Sequence, residues 1–160
     1  MKLIKNVILS LIILSPILVV SADKGFEVGD AKAFKYAKER AESGQPASQV
    51  SLGNCYYVGQ GVAKDYVEAV KWFRKAAEQG SAHAQYALGM CYVMGRGVKK
   101  DDIEAHAYYS LAASTFPMAA QNLAKLEKAM SPEAKMKGKA RAKELRLEFE
   151  TKIAAKKAGK

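Results

Sequence analysis

Two consecutive stretches of the 160-residue chain, 44–79 and 80–115, are copies of each other at a spacing of 36 residues. Fifteen of the 36 columns hold the same residue in both copies, and they include Leu52/Leu88, Gly53/Gly89, Cys55/Cys91, Tyr56/Tyr92, Asp65/Asp101 and Ala76/Ala112. A repeat of this length is typical of stacked supersecondary units that bury their apolar faces only against neighbouring units. The length of the chain indicates a single domain built from them.

Each copy is predicted to contain two helices joined by a glycine turn. In the first copy we expect a helix over 46–58, with Pro46 at its first position. The turn Gly59-Gln60-Gly61 ends it, because glycine adopts positive φ without strain. Asp65 is the expected N-cap of the second helix, and Glu68 three residues later suits a capping box.

The second copy repeats these signals with Asp101 and Glu104. A half repeat is predicted on each side of the two copies. The helix 30–43 corresponds to a second helix, and it ends at Gly44. The helix 117–130 corresponds to a first helix, aligned by matching Ala120-Gln121 to Ala84-Gln85.

The aromatic pairs Trp72-Phe73 and Tyr108-Tyr109 lie beside the paired alanines of each second helix, and we expect them in the core. Gly53 and Gly89 are expected to allow close helix contact. Cys55 and Cys91 occupy one column of successive repeats, where helices lie about 8 to 10 Å apart. A disulfide needs Cα atoms within about 7 Å, so two buried thiols are favoured over a bridge.

The repeated pattern A-x-x-x-L-G-x-x-Y-x-x-G-x-G-V-x-x-D-x-x-x-A-x-x-W-F-x-x-A-A-x-x-G resembles the Sel-like repeat (SLR) family, which is related to tetratricopeptide repeats. The residues that carry it are Leu52, Gly53, Tyr56, Gly59, Gly61, Val62, Asp65, Ala69, Trp72, Phe73, Ala76, Ala77 and Gly80. The resemblance implies an all-α fold, an α-solenoid of stacked helix-turn-helix repeats over residues 30–130. It also implies a role in holding proteins together, with no catalytic residues common to the family.

The N-terminal 22 residues have the pattern of a secretory signal peptide. A short basic opening precedes an apolar run over 7–20, and Val20-Ser21-Ala22 suits cleavage after Ala22. A membrane anchor is the alternative, but a run of about 14 residues is shorter than the ~20 that span a bilayer. Residues 23–29 form a lead-in, and the mature protein is expected in the periplasm or outside the cell.

The net charge of +10 is concentrated in the C-terminal segment. Residues 23–124 carry +1 and residues 125–160 carry +7. We therefore expect no nucleic-acid binding, because the repeats lack a basic surface. The basic residues have three interpretations: a solvated capping helix, contact with anionic envelope polymer or lipid, and contact with an acidic partner protein.

Residues 131–160 are predicted to form this capping helix, which starts at Ser131-Pro132-Glu133. One face of it carries Ala134, Gly138, Ala142, Leu145, Phe149 and Ile153. The small residues at its beginning predict weak docking there, and fraying is expected after about Ile153.

A strip along the first helices is the candidate partner-binding surface. It comprises Val50, Asn54, Tyr57, Tyr86, Met90, Val93, Asn122 and Leu126. Aromatic and Met side chains are common at interfaces. Filling of the space between helices is the alternative role for the same residues.

No pattern of catalytic or metal-ligating residues is found. His83 and His106 stand alone, without the spacing of a zinc site, and no GxSxG occurs. We therefore predict an exported, non-enzymatic adaptor without cofactor or metal, which binds a protein or peptide and acts in regulation or assembly at the cell envelope. A cell-wall peptide or β-lactam hydrolase and a secreted factor that binds a host protein are the alternatives, and homodimerisation through an open end is a further expectation.

Overall fold

The computed structural model describes residues 28–159. The described chain is all α-helical, with α1 (Val28–Glu42), α2 (Pro46–Val58), α3 (Tyr66–Ala77), α4 (Ala82–Met94), α5 (Asp102–Ala112), α6 (Pro117–Ala129) and α7 (Pro132–Ala158). Helices α2 and α3 form the first repeat, and α4 and α5 form the second. The predicted signal peptide and most of the predicted lead-in lie outside the described residues.

The turns within the repeats are formed by the predicted glycines and aspartates. Gly59 and Gly95 end α2 and α4 in the left-handed conformation, with φ of 84° and 66°. The Asp65 carboxylate accepts hydrogen bonds from the backbone N–H groups of Val67 and Glu68, at 2.9 and 3.0 Å. Asp101 does the same for α5. The N-caps are therefore confirmed.

The reciprocal half of the predicted capping box is wrong. The backbone N–H of Asp65 donates to the carbonyl of Tyr56 at 2.9 Å, so it is not left for Glu68. The Glu68 carboxylate pairs instead with Lys71. In the second repeat the Glu104 carboxylate accepts from Arg141 Nε at 2.6 Å. Each glutamate thus forms an ion pair instead of accepting a hydrogen bond from the N-cap backbone.

The core lies between the paired helices and depends on two glycines. A Cβ atom on Gly53 would lie 2.5 Å from the ring of Phe73, and one on Gly89 would lie 2.5 Å from the ring of Tyr109. Leu52 and Leu88 are fully buried beside them. This close approach of helix to aromatic ring confirms the predicted role of the two glycines and holds each repeat together.

Helix α7 lies across α5 and reaches the end of α3. Its predicted apolar face is confirmed, since Gly138, Ala142, Leu145 and Phe149 are buried. The strength of docking at its beginning stays a prediction, and the structure shows a close contact there. Gly138 is buried because the ring of His106 lies against it, and a Cβ atom there would be 2.6 Å from that ring.

The helix does not end at Ile153, and fraying beyond that residue stays a prediction. Helix α7 continues to Ala158. The Lys152 ammonium pairs with Glu78 at 2.6 Å, and Lys156 donates to the side-chain oxygen of Gln79 at 2.9 Å. These two bonds attach the last turns of α7 to the end of α3.

Trp72 is a further difference from prediction. Phe73, Tyr108 and Tyr109 are buried as expected, whereas Trp72 is only partly buried. The Lys75 ammonium lies 3.8 Å from the centre of its indole ring. Helix α7 covers the equivalent Tyr108 but passes Trp72, which explains why only the second repeat buries this column.

Candidate protein-interaction surface

The predicted strip on α2 consists of side chains in different environments. Asn54 is exposed, and Val50 is partly buried. The Tyr57 ring packs edge-on against Tyr66 at 5.1 Å, and its hydroxyl accepts a hydrogen bond from Arg96 at 2.7 Å. Tyr57 therefore fills the space between the repeats, while Val50 and Asn54 keep accessible surface.

The strip on α4 packs against α5 and α6. The Tyr86 ring lies 4.9 Å from that of Phe116, and its hydroxyl accepts from the Asn122 amide at 3.3 Å. Met90 and Val93 are partly buried against the same cluster. Here the structure supports the alternative role of filling the space between helices.

The part of the predicted strip on α6, Asn122 and Leu126, is one residue out of register with the parts on α2 and α4. Ala82 follows Pro46 by 36 residues, but Pro117 follows Ala82 by only 35, because α5 is one residue shorter than α3. Buried Ala119, rather than Ala120, matches buried Ala84. Asn122 and Leu126 therefore face the preceding repeat.

Leu126 belongs to the second core cluster. The columns of Tyr86 and Met90 are continued on α6 by Gln121 and Lys125, both exposed. A one-residue slip turns a helix by about 100°, so an alignment by sequence spacing alone selects the wrong face. Leu126 thus contributes to the core of this end of the solenoid.

A cleft of about 470 Å³ opens between the starts of α2 and α4. Ala47 and Val50 form its α2 wall, and Ser81 and His83 form its α4 wall. Gln79 and Gly80, in the turn after α3, form its floor. Val50 is thus the strip residue that lines an open site.

The equivalent space between α4 and α6 is filled by side chains. With the structural register, the matching positions in the two spaces are Ala47/His83, Val50/Tyr86, Ser81/Phe116 and His83/Met118. Ser81 and Phe116 are the N-cap residues of α4 and α6. The Phe116 ring lies 4.6 Å from His83 and 4.9 Å from Tyr86. One site is therefore open where its copy holds an aromatic ring.

A buried polar group joins α5, α6 and α7, and sequence reasoning missed it. His106 is 1% exposed, and its Nε2 lies 2.8 Å from the Glu127 carboxylate. The Ser110 hydroxyl lies 3.3 Å from Nδ1 of the same ring. The signal in the sequence was the replacement of Val70, in the first repeat, by a histidine in the second.

The hydrogen-bonded serine, histidine and glutamate side chains resemble a hydrolytic triad. Their surroundings, however, favour a structural role. Ser110 lies inside α5, where neighbouring backbone N–H groups are used by the helix and cannot stabilise an oxyanion. The face of the His106 ring is covered by Gly138 of α7. The group therefore orients three helices.

The two cysteines are buried free thiols, as favoured from their spacing. Burial raises the pKa of Cys91 to about 11. Burial, with a contribution from the negative charge of Asp30, also raises the pKa of Cys55. A thiol that keeps its proton at neutral pH is a poor nucleophile, so neither cysteine is suited to covalent chemistry.

Within residues 28–159 no cluster of three or more His, Cys, Asp or Glu side chains is arranged to hold a metal ion. In the same part of the chain, no helix combines the length and apolar character needed to cross a membrane.

The architecture defines a class of protein, a helical-repeat α-solenoid with stacked two-helix units. The family model described as "Sel1 repeat" matches residues 46–81 and 82–114. The chain therefore contains two Sel1 repeats, and its fold is that of an SLR solenoid. Proteins with this fold typically act as scaffolds for protein–protein interaction.

The solved structures that are similar to the chain include the following two. The first is a protective antigen of uropathogenic Escherichia coli strains that displays an SLR fold, at 30% identity and a TM-score of 0.72 over 81% of this chain. The second is a Sel1 repeat protein from Oxalobacter formigenes, at 38% identity and a TM-score of 0.55 over 58% of this chain. The chain spans only 28% and 39% of their lengths. A comparison with curated protein sequences found no match.

Proposed function

We propose that this chain is an exported, non-enzymatic adaptor that binds a protein or peptide through the first-helix side of its solenoid, in regulation or assembly at the cell envelope. The observation that carries the proposal is the cleft of about 470 Å³ between α2 and α4. Its volume is in the range of ligand pockets. The N-terminal pattern of residues 1–22 supports export, and the Sel1 repeats support an interaction role.

The position of α7 favours the first-helix side over the second-helix side. On the second-helix side, α7 buries α5 with Ala142, Leu145 and Phe149. The first-helix side keeps Ala47 and Asn54 exposed. A partner that approaches the cleft therefore does not need to displace a helix.

A photoreactive residue at Ala47 tests this proposal in cells that express the full chain. We expect one defined adduct from Ala47 and none from a matched residue at Lys71, which is exposed on α3. The Asn54→Arg and Val50→Arg variants should reduce the adduct from Ala47. Equal labelling from both positions, or no adduct from Ala47, contradicts the proposal.

A second contact, with an anionic envelope component, is favoured by the charge distribution on α7. Four basic residues, Lys135, Lys139, Lys143 and Arg146, follow one side of this helix. None of them forms an ion pair with another described residue. The acidic residues Glu144 and Glu148 lie on the opposite side and pair with Arg141.

Apolar side chains accompany the basic side. Met136 and Leu147 are 70% and 67% exposed, the highest values among the large apolar residues of residues 30–159. We expect sedimentation with vesicles that contain anionic phosphatidylglycerol, weakened severalfold by salt or by Lys139→Glu with Lys143→Glu. Equal sedimentation with neutral phosphatidylcholine vesicles would contradict the proposed contact with an anionic envelope component. Binding to an acidic protein but to neither vesicle would assign the surface to a protein partner.

A further inference from the structure

The cleft between α2 and α4 has an internal copy, between α4 and α6, that is filled by an aromatic side chain. In the copy, the N-cap residue Phe116 reaches back to His83 and Tyr86 on the preceding first helix. In the open cleft the N-cap is Ser81, which is too short to reach Ala47 and Val50. The two sites are formed by corresponding helix starts, but the turns before them differ, since Gly80 has a φ of 84° and no described non-glycine residue has a positive φ. The open cleft carries the smaller side chains at the matching positions.

The open cleft adjoins a smaller basic one. Gln79 lines both, and the second cleft, of about 230 Å³, also contains Lys75, Lys152 and Lys156. Glu78 neutralises Lys152. Lys75 lies over the Trp72 ring, and Lys156 donates to the amide oxygen of Gln79. Neither Lys75 nor Lys156 has a carboxylate partner among the described residues, so the smaller cleft favours a negative group.

We propose that the α2–α4 cleft takes an aromatic side chain of a partner protein in the place that Phe116 occupies in the copy, with an acidic group of the same segment beside Lys75 and Lys156. This inference rests on the proposed adaptor function and specifies the chemistry of the partner. An aromatic ring supplies a large apolar contact area with few rotatable bonds. The adjacent lysines select for a carboxylate by charge complementarity.

Small aromatic probes test the recognition without a known partner. N-acetyl-L-phenylalanine, its primary amide and N-acetyl-L-alanine are titrated into isotope-labelled protein expressed from the full chain, and the amide NMR signals of Val50, Ser81 and His83 are followed. We expect saturable shifts with the aromatic acid at a Kd of about 1 mM. The primary amide should bind at least about threefold more weakly than the aromatic acid. The alanine derivative should bind at least about tenfold more weakly than the aromatic acid.

The Ser81→Phe variant recreates the filled copy and is expected to abolish these shifts. Ser81→Ala is the matched control, because it removes the same N-cap hydrogen bond to Ala84 and leaves the cleft open. The double variant Ala47→His, Val50→Tyr fills the cleft with the side chains found on α4 and serves if Ser81→Phe does not fold. Both filled variants should keep the helical circular dichroism of the parent.

Shifts that persist in a folded Ser81→Phe or Ala47→His, Val50→Tyr protein would overturn the proposal, as would the absence of saturable shifts at about 20 mM probe. Equal affinity for the acid and its amide would overturn the acidic part. If the Ala47 adduct forms and survives Ser81→Phe, aromatic recognition fails and the adaptor function stands. If the probes bind but no cellular adduct forms, the adaptor function fails and aromatic recognition stands.

Discussion

The two repeats contain the same pair of helices, but the outer surface of the second helix is basic in the first repeat and uncharged at the matching positions in the second. Helix α3 carries Lys71, Arg74 and Lys75, where α5 carries Ala107, Ser110 and Leu111. The three basic side chains of α3 are exposed, and Ala107 is fully buried. Helix α7 accounts for the difference, since it packs on α5 and only touches the end of α3.

Each repeat therefore combines two requirements. Columns shared by both copies, such as Gly53/Gly89, are required by the unit itself, because each glycine accommodates an aromatic ring from its own second helix. Columns that differ record what lies outside the unit. On α5 the neighbour is α7, and at the start of α4 it is an open cleft.

Removal of the α7 anchor should have the largest effect. Phe149 is 7% exposed against the second repeat, so Phe149→Ala is expected to lower the free energy of unfolding by about 3 to 5 kcal/mol. Urea denaturation followed by circular dichroism measures this change. Leu147→Ala, on the exposed side of the same helix, should cost less than about 0.5 kcal/mol. Equal losses would show that α7 does not cover α5.

The aromatic column gives the next largest difference. Tyr108 is 6% exposed under α7, whereas Trp72 is partly exposed. We expect Tyr108→Ala to cost about 3 kcal/mol and Trp72→Ala about 1 to 2 kcal/mol. The same denaturation experiment compares them directly. A greater loss for Trp72→Ala would contradict the asymmetry between the repeats.

The contact between Gly138 and His106 gives a smaller effect that can be isolated. Gly138→Ala places a Cβ atom against the ring and should cost about 1 to 3 kcal/mol, despite the higher helix propensity of alanine. In the His106→Ala background the same change should be neutral or stabilising. A double-mutant cycle measures this coupling. Additive effects would show that the ring does not contact α7.

The smallest predicted effect is a difference between Cys91 and Cys55 in their contribution to stability at high pH. Burial raises the pKa of Cys91 to about 11, while an unfolded thiol ionises near 8.5 to 9. The unfolded state therefore loses its proton first as pH rises. The contribution of this thiol to stability is complete below about pH 9 and is lost as pH approaches 11.

The advantage of the parent protein over Cys91→Ala should accordingly shrink by about 1 to 2 kcal/mol between pH 8 and 10.5. Urea midpoints across this range measure it, and Cys55→Ala provides the comparison in the first repeat. A gap that is constant with pH would place Cys91 in contact with solvent.

Most of the local structure was predictable because its causes are local. Pro46, Asp65 and Gly59 define helix starts and stops through backbone geometry and hydrogen bonds to residues within a few positions. The apolar face of α7 was likewise visible from helical periodicity. Of the strip, Val50 lines the cleft between α2 and α4, and partner binding by the strip stays a prediction.

The remaining features depend on contacts between residues far apart in the chain. The one-residue shortening of α5 moved Asn122 and Leu126 to a different face from the one assigned by a constant repeat. The burial of His106 required both Glu127 and Gly138, from two other helices. Trp72 stayed partly exposed because α7 passes over Tyr108 instead.

The repeat, its paired helices and their capping follow from the sequence alone, because they depend on residue type and short-range spacing. The packing of α7, the register of α6 and the choice of which of two equivalent spaces stays open depend on the tertiary structure. Those outcomes depend on the volumes of side chains brought together from separate helices, as Ser81 and Phe116 show at the same N-cap position.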